Sequence, residues 1–306
     1  LPELTRRGYP EHMVVGTLAG ASTLGLLIPP SIIMIVYGVS AEVSISQLFI
    51  AGVLPGILLA ALFSGYIMVW ALRHPDQIPA ADVRLTFAQK LAESRSLIPV
   101  VLLIAAVLGS IYTGFATATE AAAVGVVGSL VLSAVQGSMS WSTFKESLMG
   151  ATRLYCMIAL ILAGAAFLTL SMGYIGLPRH LAEWIASLGL NQGQLLVALA
   201  VFFIILGCFL DGISMVVLTM GVLMPTVQAA GIDPIWFGIF IVLVVEMAQI
   251  TPPVGFNLFV LQGMTGKQLP YIARVSMPMF FLMMGAVLLI YFVPGIVTWL
   301  PTQMKL

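Results

Sequence analysis

The chain has 306 residues, of which 60% are hydrophobic and only 8% are charged, and its formal net charge is zero. Soluble domains carry about 25% charged residues, so this composition excludes an ordinary soluble domain. With a mean hydropathy of +1.11, it predicts an all-α polytopic membrane protein. The balanced charge provides no basic face for nucleic acid, and Cys156 and Cys208 lie in apolar runs typical of core positions.

Apolar runs long enough to cross a bilayer recur along the chain, since a span needs about 20 such residues. Two predicted spans are interrupted by a diproline, and two short apolar legs flank the sequence LDGIS. Segments 84–95 and 141–153 are amphipathic, and 178–189 is interfacial. The predicted spans are 13–39, 46–72, 96–112, 117–136, 154–175, the legs 192–209 and 215–229, then 235–264 and 275–300.

The positive charges fall mainly on one side of this map. Arg179 and Lys305 alone fall on the other side. Cytoplasmic loops are enriched in Lys and Arg, so we expect a cytoplasmic N-terminus and a C-terminus on the outside. The ten residues on the cytoplasmic side are Arg6, Arg7, Arg73, Arg84, Lys90, Arg95, Lys145, Arg153, Lys267 and Arg274.

Both diprolines, Pro29-Pro30 and Pro252-Pro253, stand inside apolar segments. A proline inside a helix costs about 3 kcal/mol or more, and lipid offers the freed carbonyls no water. Interrupted helices of transporters use such carbonyls to coordinate Na+, and the half-helix N-termini to attract anions. We therefore predict binding sites at both breaks, with two independent proline kinks as the alternative. The first break comprises Ser22, Thr23, Gly25, Ile28 and Pro29, before Ser31; the second comprises Ala248, Gln249, Ile250, Thr251 and Pro252, before Asn257.

The short legs around Asp211 predict a re-entrant hairpin that enters from outside and turns near mid-membrane. Gly212 permits a tight turn, Ser214 offers a hydroxyl, and the turn carries no Lys or Arg. The alternative to this hairpin is two complete spans, which would leave all other charged loops on the same sides of the membrane. If the diproline helices belong to an inverted repeat, another hairpin precedes Leu1. We therefore expect the sequence to be a fragment that lacks the counterpart of Asp211-Gly212.

Three acids, Glu120, Asp211 and Glu246, lie in or near the predicted spans. Ionisable residues are costly there and usually mark ion or substrate paths. The absence of basic partners in the spans makes all three candidate ion-coupling acids for a cation. For Glu120 a place in the first helical turn, where the dipole favours it, is the preferred interpretation.

Other function classes fit less well. Histidines lie outside the predicted spans and none is paired with a nucleophile, so an enzyme is not favoured. A channel needs a continuous wet path, whereas interrupted helices with a hairpin suit an occluded site. Proton coupling through Asp211 and Glu246 stays open beside sodium coupling. Since no arginine lies inside a span, the candidate substrate-binding residues are Ser22, Thr23, Ser31, Thr251 and Asn257.

Four segments carry a resemblance to a known family across essentially the whole chain. They are RRGYPEHMVVGTLAGASTLGLLIPPSIIMIVYG, GFATATEAAAVGVV, LGCFLDGISMVVLTMGVLMP and IDPIWFGIFIVLVVEMAQITPPVGFNLFVLQG. In this order they resemble the large, DctM-like membrane subunit of tripartite ATP-independent periplasmic (TRAP) transporters.

The resemblance implies sodium-coupled import without ATP across the bacterial inner membrane, by an ion-transporter-type inverted repeat with elevator motion. Implied substrates are organic acids such as C4-dicarboxylates and sialic acid. Implied partners are a periplasmic binding protein (DctP-like) and a small four-helix membrane subunit (DctQ-like). Ion sites of the family lie where a hairpin tip meets its broken helix. This implies one Na+ site at Asp211, Gly212, Ser214, Ala248, Gln249, Ile250 and Thr251, and half of another at Ser22, Thr23, Gly25 and Pro29.

The resemblance also implies a division of the chain into parts that are not contiguous. The transport domain takes residues 1–43, with the first broken helix, and 191–264, with the second hairpin and broken helix. Scaffold helices and amphipathic arms take 44–153, and a C-terminal scaffold helix takes 265–306. Residues 154–190 form a linking span and an interfacial helix.

Overall fold

The computed structural model describes residues 2–79, Thr86, Gln89, 94–252 and 255–303, and every regular element in these residues is helical. Two short 3-10 turns, Pro75–Gln77 and Ser94–Leu97, accompany the α-helices. The α-helices are α1 Pro2–Arg6, α2 Glu11–Leu27, α3 Ile32–Ser40, α4 Ile45–Arg73, α5 Ile98–Tyr112, α6 Ala118–Val135, α7 Trp141–Ile175, α8 Leu177–Ser187, α9 Gln192–Leu206, α10 Gly212–Ala229, α11 Pro234–Gln249, α12 Phe256–Thr265, α13 Leu269–Phe292 and α14 Gly295–Thr302.

Five of the described helices are long and apolar enough to cross a membrane, or six when the bent pair α2–α3 counts as one span. This confirms the polytopic all-α prediction.

Two predicted boundaries were wrong. Segments 141–153 and 154–175 form the single helix α7, because no proline interrupts them. The predicted span 275–300 is instead divided into α13 and α14 at Pro294, which lacks a backbone donor. Most of segment 84–95 lies outside the described residues.

The chain divides into two compact units, Leu1–Pro79 with Ile161–Thr302, and Ala80–Leu160 with Gln303–Leu306. In the second unit, α5 packs against α6. Gly114, at φ +72°, turns the chain between them. Most side chains of α6 are exposed, including Val127 and Val131. Exposed apolar faces of this kind suit lipid or another membrane protein.

Helix α11 is the centre of the first unit. Every residue from Trp236 to Gln249 is buried, and α2, α3, α4, α9, α10, α13 and α14 pack around the helix. A helix that is apolar on all sides is stable only when it is surrounded in this way. Asp233 caps its N-terminus, and the Trp236 indole donates to the Ile290 carbonyl at 3.1 Å. The second broken helix therefore holds a fixed place in the core.

Helix α13 packs closely on α2 through two glycines. A Cβ atom at Gly16 would lie 2.3 Å from the carbonyl oxygen of Val275, and one at Gly20 would lie 2.7 Å from Cγ of Met279. Small residues allow such close approach of membrane helices. The structure thus groups α4, α13 and α14 with the broken helices in one compact unit, whereas the resemblance implied that they are scaffold helices. The division into a moving transport domain and a fixed scaffold stays a prediction.

Candidate functional site

The first break separates α2 from α3, whose axes differ by 44°. Ser31 joins the two halves: its hydroxyl donates to the carbonyl of Leu26 and accepts the backbone N–H of Met34 at 3.3 Å. Ser31 is buried, and a side chain that caps a helix in this way satisfies one of its free donors. The predicted interruption at the diproline is confirmed. Ser31 stabilises it by bonding to both α2 and α3.

The second break separates α11 from α12. The hydroxyl of Thr251 donates to the carbonyl of Met247 at 2.6 Å, which leaves its oxygen lone pairs available to a cation. Gly255 closes the turn, since a Cβ atom there would lie 2.4 Å from the carbonyl oxygen of Gln249. The chain therefore folds back on the end of α11, which a larger residue at this position would prevent. Pro253 and Val254 lie outside the described residues.

The hairpin consists of α9 and α10, with Asp211 at its tip. The Asp211 carboxylate accepts the backbone N–H groups of Ile213 and Ser214 at 3.1 and 3.2 Å, and the Ser214 hydroxyl at 2.5 Å. The charge thus lies at the N-terminus of α10, where the helix dipole favours an anion. The carboxyl group shapes the tip, and its oxygens have further lone pairs for a cation.

Two glycines bring the hairpin tip against both broken helices. A Cβ atom at Gly207 would lie 2.4 Å from Cβ of Ala248; one at Gly212 would lie 2.5 Å from Nε2 of Gln249 and 2.9 Å from Cδ1 of Ile33. The tip therefore contacts the end of α11 and the first turn of α3. Helix α10 is also long and apolar enough to cross a membrane, so the re-entrant hairpin stays a prediction.

The two broken helices are also joined directly. Nδ2 of Asn257, in the first turn of α12, donates to Oγ of Ser22 in α2 at 3.3 Å. The Ser22 hydroxyl in turn donates to the carbonyl of Ala19 at 2.8 Å. Gly25 lies one turn further along α2, is exposed, and has open space beside its Cα. These contacts place polar groups of both breaks beside an accessible stretch of α2.

Other predicted site residues lie elsewhere. Thr23 is buried; its hydroxyl donates to the Gly20 carbonyl at 2.7 Å and faces the Met283 sulfur of α13 at 3.9 Å. Thr23 therefore turns away from Asn257. Pro29 and Ile250 are buried at the two breaks.

Glu120 lies in the second unit and forms a capping box with Thr117. The backbone N–H and the hydroxyl of Thr117 each donate to the Glu120 carboxylate at 2.8 Å. Such a box satisfies two free donors at a helix start. The interpretation of Glu120 as a first-turn residue is confirmed.

Glu246 is fully buried in α11, and neither carboxyl oxygen has a hydrogen-bond partner in the described part of the chain. A buried polar group without a partner is costly. Glu246 therefore stays a candidate functional residue, as expected for an acid inside a membrane protein. Glu246 lies one turn before Gln249 and Ile250, near the end of α11 at the second break.

A surface ion pair ties the two broken helices together at one end. Nζ of Lys267, just after α12, lies 3.0 Å from Oε2 of Glu11 at the start of α2. The hydrogen bond to Glu11, and then its charge, raise the pKa of Lys267. Both side chains are well exposed, so the pair adds little to stability and mainly orients these ends.

The sequence does not predict three of the packing partners at the tip. Gly207, Ile33 and Val245 belong to apolar runs and carry no polar signal, although each lies against the tip or forms part of it. The glycine before the turn in LGCFLDG is the one feature that could have indicated a close approach.

Comparison with known proteins assigns a family. A family profile described as "Tripartite ATP-independent periplasmic transporter, DctM component" matches residues 1–296. The chain belongs to this family. Its members are secondary transporter permeases and not enzymes, and a DctM large permease works with a small DctQ subunit and a DctP periplasmic binding protein. The predicted family, and the prediction that the chain is not an enzyme, are confirmed.

Three curated relatives show how much of a DctM component the chain contains. It is 33% identical, over 97% of its length and 69% of the relative's, to the C4-dicarboxylate TRAP transporter large permease protein DctM of Pseudomonas aeruginosa. It is 34% identical, over 98% and 69%, to the ectoine/5-hydroxyectoine TRAP transporter large permease protein UehC of Ruegeria pomeroyi. It is 30% identical, over 97% and 46%, to the isethionate TRAP transporter permease protein DctMQ of Oleidesulfovibrio alaskensis.

Proposed function

We propose that this DctM-family chain imports a small organic acid across the bacterial inner membrane, coupled to the entry of Na+. One observation carries the proposal: the tip glycine Gly212 lies against Gln249 of one broken helix and Ile33 of the other. Discontinuous helices that converge in this way provide carbonyl groups for a cation and N–H groups for an anion. Ion and substrate can therefore share one site.

The donor set suits a hard cation such as Na+. The Asp211 carboxylate and the Thr251 hydroxyl keep unused lone pairs, and carbonyl oxygens lie around Ala248 and Ile250 at the end of α11. Sodium, when bound, supplies positive charge beside the substrate. Asp211 shapes the hairpin tip, and Thr251 fixes the end of α11. Gly212 has no side chain and therefore allows the tip to approach the end of α11. At the first break, Ser22, Gly25 and Pro29 form half of another Na+ site.

The substrate binds near Ser22 and Asn257, beside the accessible stretch of α2. No arginine lies within the described helices that form the breaks, α2, α3, α11 and α12. The carboxylate is therefore held by hydroxyl and amide groups, by the N-termini of α3 and α12, and by the bound cation. The named substrates of the relatives, C4-dicarboxylates, isethionate and ectoine, are all small polar acids or zwitterions, and sialic acid is a further candidate.

The proposal includes the two partners and the motion of the family. A periplasmic binding protein delivers the substrate, a small DctQ-like subunit accompanies the permease, and the C-terminus lies in the periplasm. The hairpin and both broken helices move together as an elevator. Their mutual contacts through Gly207, Gly212 and Ser22 support this common motion, because a body that moves must keep its own packing.

Proton coupling is a second candidate, and one observation favours it. Glu246 is fully buried, and its oxygens have no partner among the described residues, so a coupling proton on this carboxyl would break no hydrogen bond of the protein. In that case the acid replaces sodium as the coupling group. Glu246→Gln cannot titrate and keeps the shape of the side chain.

Uptake by the complete three-component transporter in liposomes separates these candidates. Radiolabelled C4-dicarboxylates, isethionate and sialic acid are offered with their binding proteins under an inward sodium gradient, an inward proton gradient or neither. Sodium coupling predicts uptake that needs sodium and the binding protein and survives Glu246→Gln. Uptake that needs only the proton gradient and is abolished by Glu246→Gln would overturn it.

A further inference from the structure

A cavity of about 660 Å³ opens between α12 and α13, beside the second break. Its walls are apolar, and Arg274 is the one polar side chain among the described residues that line it. Pro252, at the second break, belongs to the same lining. The apolar walls are formed by Leu258, Leu269, Pro270, Ala273 and Met277.

Arg274 also lines a second cavity, of about 220 Å³, formed by α2, α4 and α13. This one is more polar, since His12, Thr17 and Tyr66 contribute to it. The Thr17 hydroxyl donates to the carbonyl of Met13 at 2.6 Å, which leaves His12, Tyr66 and Arg274 as donors. One guanidinium therefore stands between an apolar cavity and a cavity with hydrogen-bond donors.

Arg274 brings a positive charge to the lining of both cavities. It forms no ion pair in the described part of the chain, and the acid at the start of α2, Glu11, is paired with Lys267 at 3.0 Å. Arg274 is exposed and belongs to the set of positive residues that we place at the cytoplasmic membrane surface. An anion that reaches this surface meets a free guanidinium.

We propose that Arg274 binds the phosphate of an anionic phospholipid whose acyl chain fills the cavity between α12 and α13. An acyl chain needs apolar walls and no donors, whereas a small organic acid needs several polar groups to hold it. The phosphate oxygens accept from Arg274, with His12 and Tyr66 at the adjoining cavity. Basic pockets between membrane helices on the cytoplasmic side are suited to anionic head groups.

The lipid site is distinct from the transport site but touches it. Because Pro252 lines the cavity, an acyl chain there packs against the second break and supports the turn that holds Thr251. The binding itself does not rest on sodium coupling or on a particular substrate. A lipid-binding assay therefore fails or succeeds independently of the proposed transport.

The test measures binding of fluorescent phosphatidylglycerol to the purified full-length protein, with phosphatidylcholine as the zwitterionic comparison. An arginine beside an anionic head group contributes about 1 kcal/mol to lipid binding, so Arg274→Gln should weaken binding about fivefold. Met277→Trp puts a larger side chain into the apolar cavity without changing charge and should weaken binding as well. The matched control is Arg73→Gln, which removes the same charge from the end of α4, lines neither cavity and should leave binding unchanged.

Three results would overturn the proposal. Equal losses in Arg274→Gln and Arg73→Gln would indicate general surface attraction. Unchanged lipid binding in Met277→Trp would show that the acyl chain does not occupy this cavity. Competition by inorganic phosphate or succinate as strong as that of phosphatidylglycerol would make this a site for small anions.

Discussion

Substituting Gly207 by alanine should separate the hairpin tip from the second break. Gly207 has φ −67° and ψ −10°, which alanine adopts without strain, so the effect is steric. The new Cβ would lie 2.4 Å from Cβ of Ala248 and 3.3 Å from its Cα. Neither atom is the end of a flexible side chain. To reach ordinary contact, the tip must recede by about 1 Å.

The expected magnitudes follow from this displacement. Overpacking costs about 1–3 kcal/mol, and the loss of glycine's freedom in the unfolded chain offsets about 0.4–1 kcal/mol. The free energy of unfolding should therefore fall by about 1 kcal/mol, and by about 2.6 kcal/mol at most. Metal ligands tolerate displacements of only about 0.2 Å, so the sodium concentration for half-maximal uptake should rise by roughly tenfold or more, equivalent to about 1.4 kcal/mol.

Gly285→Ala in α13 is the matched control, because a Cβ atom there meets no atom within 4 Å. Alanine is favoured in a helix by about 1 kcal/mol, so its stability should be unchanged or higher and its sodium dependence unaltered. Both variants are compared by thermal unfolding in detergent and by sodium titration of uptake in liposomes. If Gly207→Ala keeps the parent's sodium dependence, the contact between the tip and the second break is not part of the ion site.

Three further changes probe other parts of the structure. Asn257→Ala removes the hydrogen bond to Ser22 and should raise the substrate concentration for half-maximal uptake by about fivefold to tenfold, with sodium dependence unchanged; an unaltered substrate dependence would place the substrate elsewhere. Gly16→Ala drives a methyl group into a backbone carbonyl of α13 and should lower the free energy of unfolding by about 1–3 kcal/mol; a melting temperature equal to the parent's would refute the close packing. Glu183→Gln removes the partner of Arg179, whose hydrogen bond and charge hold the pKa of Glu183 below its ordinary value. The parent's advantage in stability should be present at neutral pH and disappear as the pH falls through that lowered pKa, as thermal unfolding at a series of pH values will show.

Local features of the site could be predicted from the sequence because they depend on short-range chemistry. The diproline fixes the end of α2, and Asp211 and Glu120 each occupy the start of a helix, where their carboxylates satisfy free backbone donors. The turn at LDGIS follows from a glycine and an aspartate between two apolar legs. In each case the determining atoms lie within a few residues of one another.

Contacts between distant segments could not be predicted in the same way. Ser22 and Asn257 meet although 235 residues separate them, and nothing in their local sequence distinguishes Ser22 from Thr23, which turns toward Met283 instead. The close packing of α2 on α13 depends on the glycine at position 16, whose meaning appears only when its neighbour is known. The division of the chain into transport and scaffold parts also depends on contacts between distant segments, and it stays a prediction.

Equilibrium binding of radioactive sodium to the purified protein tests the central claim most directly. Thr251→Val removes the hydroxyl that we assign to the ion site and keeps the side-chain shape. The matched control is Thr265→Val, because Thr265 donates to the Leu261 carbonyl at 2.7 Å much as Thr251 donates to that of Met247 at 2.6 Å. We expect Thr251→Val to lose sodium affinity by about tenfold and Thr265→Val to bind like the parent. Equal sodium binding in both variants and the parent would contradict an ion site at the second break.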